Sequence, residues 1–94
     1  MRQTFNPQNA NILININGEL YHRDQAGISP FDSAVQGGDA VWEGLRLYDG
    51  RIFKLTEHLD RLRDSARAMA FAAIPTHEEI TDQLRKTLIA NNMR

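Results

Sequence analysis

Cysteine is absent from this chain, so neither a disulfide framework nor a thiolate metal site is open to it, and a reducing compartment is allowed. A long apolar run and a secretion-type N-terminus are absent as well. We therefore expect a soluble, cytoplasmic protein with no membrane partner. No charge dominates: 11 basic residues face 12 acidic ones, for a formal net charge of −1. An electrostatic nucleic-acid binder would show a basic stripe or patch, so no nucleic acid is expected as a partner. The three histidines, His22, His58 and His77, lie far apart and match no ligand spacing such as H-E-x-x-H, so no metal site is expected. Gly37-Gly38 lacks the spacing of a phosphate-cradling loop and leads into a strand rather than a helix. Length is short too. A chain of 94 residues forms one small domain, burying only about 60–65% of its unfolded surface. What remains, 41% hydrophobic and 24% charged residues, is ordinary for a globular protein.

Residues 1–10 are polar and include Pro7, which reads as a flexible arm ahead of a domain over 11–94. The β-branched run Ile12 to Ile16 meets Glu19 to His22 across Asn17-Gly18, the strongest short hairpin signal, with Ile12, Ile14 and Ile16 facing the core. Asp32-Ser33 can open a short helical turn. Gly38 to Phe71 then reads as strand, tight turn at Asp49-Gly50, strand and amphipathic helix. Alternation along the first of these strands puts Val41, Glu43, Leu45 and Leu47 on one face and Trp42, Gly44, Arg46 and Tyr48 on the other. A glycine inside a strand marks either a bulge on a solvated face or a place where a ligand comes close.

In the helix, Thr56 is placed to cap the N-terminus, with Glu57 in the first turn. Leu59, Leu62, Ala66, Met69 and Ala70 mark a buried stripe. Arg61 lies off it, spaced for an exposed i,i+4 pair with Glu57 that would contribute only about a few tenths of a kcal/mol. Thr76 to Glu79 form a capping box for a second helix with Ile80, Leu84 and Leu88 inward and Asn91-Asn92 at its end. The expected fold is α+β: an antiparallel sheet of two hairpins packed with two helices.

Three blocks in register, VWEGLR (Val41 to Arg46), DGRIFKL (Asp49 to Leu55) and EHLDRLRDSA (Glu57 to Ala66), resemble the N-terminal motifs of class IV, fold-type IV aminotransferases. That family comprises branched-chain aminotransferases, D-amino-acid aminotransferases and aminodeoxychorismate lyases. The resemblance implies pyridoxal 5'-phosphate as cofactor, an amino acid and a 2-oxo acid as substrates, and a homodimer. It gives Arg61 the role of holding the cofactor phosphate. Trp42, in place of the usual phenylalanine, then lines the substrate pocket with Gly44 and Arg46. Gly37 stands where branched-chain enzymes commonly carry a pocket tyrosine. The family's Schiff-base lysine belongs to a C-terminal domain, so no catalytic residue is expected in these 94 residues. Lys54 and Lys86 are read as solvated surface residues. The resemblance thus describes the N-terminal part of a transaminase, branched-chain in first place, and inactive by itself. D-amino-acid transfer or lyase action on aminodeoxychorismate comes second, and a non-catalytic pairing module is the reading if the chain ends at residue 94.

Overall fold

A computed structural model describes residues 6–94. The first five residues of the expected arm lie outside the described residues. Beyond them, Pro7–Asn9 make a 3-10 turn capped by the Asn6 side chain. Two hairpins follow, β1 (Leu13–Ile16) with β2 (Glu19–His22), and β3 (Leu47–Tyr48) with β4 (Arg51–Ile52). Three helices accompany them: α1 (Ser33–Gln36), α2 (Leu55–Ala68) and α3 (His77–Ala90). The α+β class expected from the pattern is therefore what the chain adopts.

Both tight turns are where the dipeptides put them. Asn17 and Gly18 have φ of 54° and 86°, and Asp49 and Gly50 have 49° and 76°, the pair of positive angles that a type I′ turn requires. Ile16 faces Glu19 across the first turn, and Tyr48 faces Arg51 across the second. The Tyr48 and Phe53 rings meet edge to face at 6.0 Å, closing the second hairpin.

The hairpins form separate two-stranded sheets instead of one. At the outer edge of β1, the Asn91 side chain accepts from the Leu13 N–H at 2.7 Å and donates to the Leu13 carbonyl at 3.0 Å. An amide side chain thus takes the backbone groups that another strand would have paired. The strand expected from Val41 is likewise shorter. Only Leu47–Tyr48 carry the ladder, extended by a bond from the Phe53 N–H to the Arg46 carbonyl at 2.8 Å.

Helix α2 starts two residues earlier than the Thr56 cap allows, at Leu55 instead of Glu57. Lys54, in the left-handed region at φ 52°, makes the corner, and its carbonyl accepts the first helical bond from the His58 N–H. Thr56 falls inside the first turn, and no side chain caps this end. At the other end, the Phe71 N–H reaches the Ala66 carbonyl and the Ala70 N–H the Arg67 carbonyl, with Ala70 at φ 58°. This is a Schellman closure with alanine in the place that favours glycine. It explains why Met69 and Ala70, expected on the buried stripe, are exposed: the helix stops at Ala68 and the chain turns away.

The capping box of α3 is present, with the Thr76 hydroxyl accepting from the Glu79 N–H at 3.1 Å and the Glu79 carboxylate from the Thr76 N–H at 3.2 Å. Ile80, Leu84 and Leu88 are half-buried. The side of β1 that meets α3 carries Asn15, whose amide donates to Gln83 and Thr87. Ile14 and Ile16 instead border an open groove with Ala26, Gly27 and Ile28, so the isoleucine face is not core. Among the described residues only Leu59 and Ala66 are fully buried hydrophobics. Val41, Leu62, Phe71, Ile74 and Ile80 surround an apolar gap of about 230 Å³ beside Ala66. The accessible surface, 7874 Å², exceeds the roughly 5,500 Å² of a compact monomer of this mass. No helix among the described residues is long and apolar enough to cross a membrane.

Candidate functional site

The first two turns of α2 gather charge on one side. Lys54, Glu57, His58 and Arg61 stand at i, i+3, i+4 and i+7, neighbours on a helical surface, and line a depression of about 210 Å³. Arg61 does not pair with Glu57. Its partner is Glu43, 18 residues upstream, whose Oε1 accepts from Nη2 at 2.7 Å and from Nε at 3.2 Å. The same oxygen lies 2.6 Å from His58 Nδ1. Glu43 and His58 are 15% and 19% exposed, whereas Arg61 is 68% exposed.

Hydrogen bonds from Arg61 and then from His58 hold the Glu43 carboxyl below its ordinary value of 4.5, against a smaller push upward from burial. An ionised carboxylate only accepts, so His58 Nδ1 carries a proton and donates to it. The Arg61 Nη2 contact with that nitrogen at 3.2 Å is then proximity rather than a bond, since both groups are donors. Both Nη1 protons and one Nη2 proton remain for a ligand.

Exposure alternates along 41–48 as the sequence implies. Val41, Glu43, Leu45 and Leu47 are half-buried, and Trp42, Gly44, Arg46 and Tyr48 are exposed, Trp42 at 83%. The structure therefore divides the expected site residues. Arg61, itself exposed, pairs with Glu43 of the half-buried face, while Trp42, Gly44 and Arg46 share the outward face. A side chain at Gly44 would meet only Trp42 Cζ3, at 3.7 Å.

Residues 40–94, which hold this whole cluster, match the family described as amino-transferase class IV. The chain belongs to that family. Among its class IV relatives, branched-chain-amino-acid aminotransferase-like protein 2 of Arabidopsis thaliana is 56% identical over 87 residues, 93% of this chain and 16% of that protein. A putative branched-chain-amino-acid aminotransferase of Methanocaldococcus jannaschii is 43% identical over 86% of this chain and 28% of its own length. A D-alanine aminotransferase of Staphylococcus haemolyticus is 37% identical over 84% of this chain, again 28% of that protein. The chain thus spans about a sixth to just over a quarter of the relatives it matches.

Within this class IV segment, sequence reasoning missed Glu43, His58 and Lys54 as neighbours of Arg61. For Lys54 and His58 the signal was present in the 54, 57, 58, 61 spacing. For Glu43 the only hint was its place on the inward face. Lys86 is exposed, as expected, and donates to the carbonyl of Gly18 in the first turn. The Lys54 ammonium stands 5.6 Å from the Phe53 ring centroid.

Proposed function

We propose that the complete polypeptide carrying these residues is a transaminase. It moves an amino group between an amino acid of the branched-chain class and a 2-oxo acid, as a cytoplasmic homodimer using pyridoxal 5'-phosphate. The observation that carries this reading is the Arg61 guanidinium, pinned on one edge by Glu43 and open on the other beside Lys54. A phosphate ester near dianionic charge is met best by a planar fork that donates parallel hydrogen bonds, with a second cation close by. The depression holds several times the roughly 30 Å³ of one water, enough for a tetrahedral anion. The residues present therefore fit the phosphate end of the cofactor.

Pyridoxal 5'-phosphate, when bound, supplies the electron sink for amino-group transfer. Arg61 and Lys54 hold and orient its phosphate. Trp42, Gly44 and Arg46 offer an aromatic wall, a gap and a cation to the substrate, with Trp42 restricting side-chain size. We assign no catalytic lysine here. Lys86 is held by a turn carbonyl, and Lys54 stands at the phosphate end of the depression. The outward side chains of Phe31 and Ile89, 83% and 75% exposed, offer apolar surface to a second copy.

The branched-chain reading rests on the plant and archaeal relatives, and the similarity to D-alanine aminotransferases supports a second, D-selective one. The test is to load the full-length polypeptide with pyridoxal 5'-phosphate and follow 2-oxoglutarate-dependent consumption of L-leucine, L-valine, L-isoleucine and D-alanine. We expect kcat/KM for the branched L-amino acids to exceed that for D-alanine. The reverse order selects the second reading, and no transfer from any donor overturns both.

A further inference from the structure

A carboxylate placed on the cation that should hold an anion subtracts from the attraction by charge alone. Geometry points the other way. One oxygen of Glu43 gathers Nε and Nη2 of Arg61, a two-point contact that fixes the guanidinium plane, and His58 Nδ1 holds that oxygen from another side. Glu43 and His58 are mostly covered and Arg61 is mostly exposed, so the fixed part of the triad is the inner part. An arginine on an open surface otherwise loses rotamer freedom when it takes a ligand, and a partner that has already oriented it removes that cost from binding.

We propose that Glu43 is the positioning residue for Arg61. With His58 behind it, Glu43 aims the Nη1 edge of the guanidinium into the depression shared with Lys54, so that the arginine is set for a phosphate ester before one arrives. This rests on the reading of Arg61 as the phosphate-holding group. Glu43 itself touches no ligand.

The experiment is a double-mutant cycle in the full-length polypeptide stripped of cofactor. Parent, Glu43→Ala, Arg61→Ala and the double variant are titrated with pyridoxal 5'-phosphate and, separately, with pyridoxal, and their melting temperatures are recorded. We expect Glu43→Ala to weaken the phosphate ester roughly three- to tenfold when Arg61 is present, the range of a contacting pair. In the Arg61→Ala background the change should be under about twofold, and pyridoxal should bind all four proteins alike. Equal or tighter binding by Glu43→Ala would show that its charge matters and its geometry does not. The same loss with and without Arg61 would equally overturn the positioning role while leaving the phosphate reading intact. An Arg61→Ala variant that binds the phosphate ester like the parent overturns both. Glu43→Asp guards against a folding defect in the alanine variant, because it keeps the charge and shortens the reach. Positioning predicts weaker ester binding there too, and parental affinity would refute it.

Discussion

Replacing Arg61 by alanine removes a group whose donor count is fixed by the structure. A guanidinium has five N–H groups, and Glu43 Oε1 takes one from Nε and one from Nη2. Three remain, enough for a bidentate grip on a phosphate and one further bond. Each charge-assisted bond contributes about 1.5–3 kcal/mol when shielded. At 68% exposure water competes for these protons, so the lower end applies. The expected loss is roughly 10- to 100-fold in affinity, about 1.4–2.7 kcal/mol. Arg61→Lys should recover part of it, since a point charge replaces the fork. The assay is titration of the apo full-length polypeptide with pyridoxal 5'-phosphate and with pyridoxal at two ionic strengths. The deficit should appear with the phosphate ester alone and shrink as salt screens the exposed cation. Glu57→Ala is the control. Arg61 pairs with Glu43 instead, so this change should leave stability within about 0.5 kcal/mol and bind the ester no more weakly. Arg61→Ala binding the ester within about twofold of the parent, at an unchanged melting temperature, would refute the reasoning.

Acid should loosen the link between the 41–46 segment and α2. A carboxyl held below its ordinary value stabilises the fold above that value and ceases to do so as pH falls through its folded-state value. The melting temperature should therefore drop on acidification below about pH 4.5 more steeply for the parent than for Glu43→Gln, and parallel pH profiles would count against it. Ala70→Gly should stabilise by about 0.5–1 kcal/mol, because glycine adopts the left-handed closure of α2 without a Cβ penalty; no rise in denaturant midpoint would contradict this. Gly44→Val adds a side chain that meets only the Trp42 ring, so the fold should persist. If the outward face lines the substrate pocket, KM for branched amino acids should rise or kcat fall, and unchanged kinetics would return this face to plain surface.

How far the sequence could be read depended on the distance over which each determinant acts. The turns at Asn17-Gly18 and Asp49-Gly50 were legible because two residues carry the whole conformational demand. The Thr76–Glu79 capping box was legible for the same reason. The two faces of 41–48 followed from strand alternation even where no ladder forms. The division into two sheets did not, because distant groups occupy strand edges, as Asn91 does at Leu13 across 78 positions. The start of α2 was misplaced because Thr56 satisfies the local cap pattern, while the hairpin makes Lys54 turn the corner. Helical spacing offers Glu57 as a surface partner for Arg61, and the structure pairs it with Glu43. A covered carboxylate 18 residues away competes better for the guanidinium than an exposed one on the same helix.

Two hairpins on unconnected ladders leave each sheet with two strands and no third to back it. β1 and its turn are tied to α3 by the Asn15, Gly18 and Asn91 bonds, and the segment ahead of the second hairpin is tied to α2 by Glu43 with His58 and Arg61. Between α2 and α3, His77 Nε2 lies 3.1 Å from Asp60 Oδ1, and Ile80 lines the same apolar gap as Leu62 and Ala66. A two-stranded ladder opens more readily than a helix with buried side chains, so amide hydrogens of the hairpins should exchange sooner than those around Leu59 and Ala66. The charged cluster is built from Glu43 and the start of α2 and uses no residue of the first hairpin, so its hydrogen bonds do not depend on that ladder staying closed.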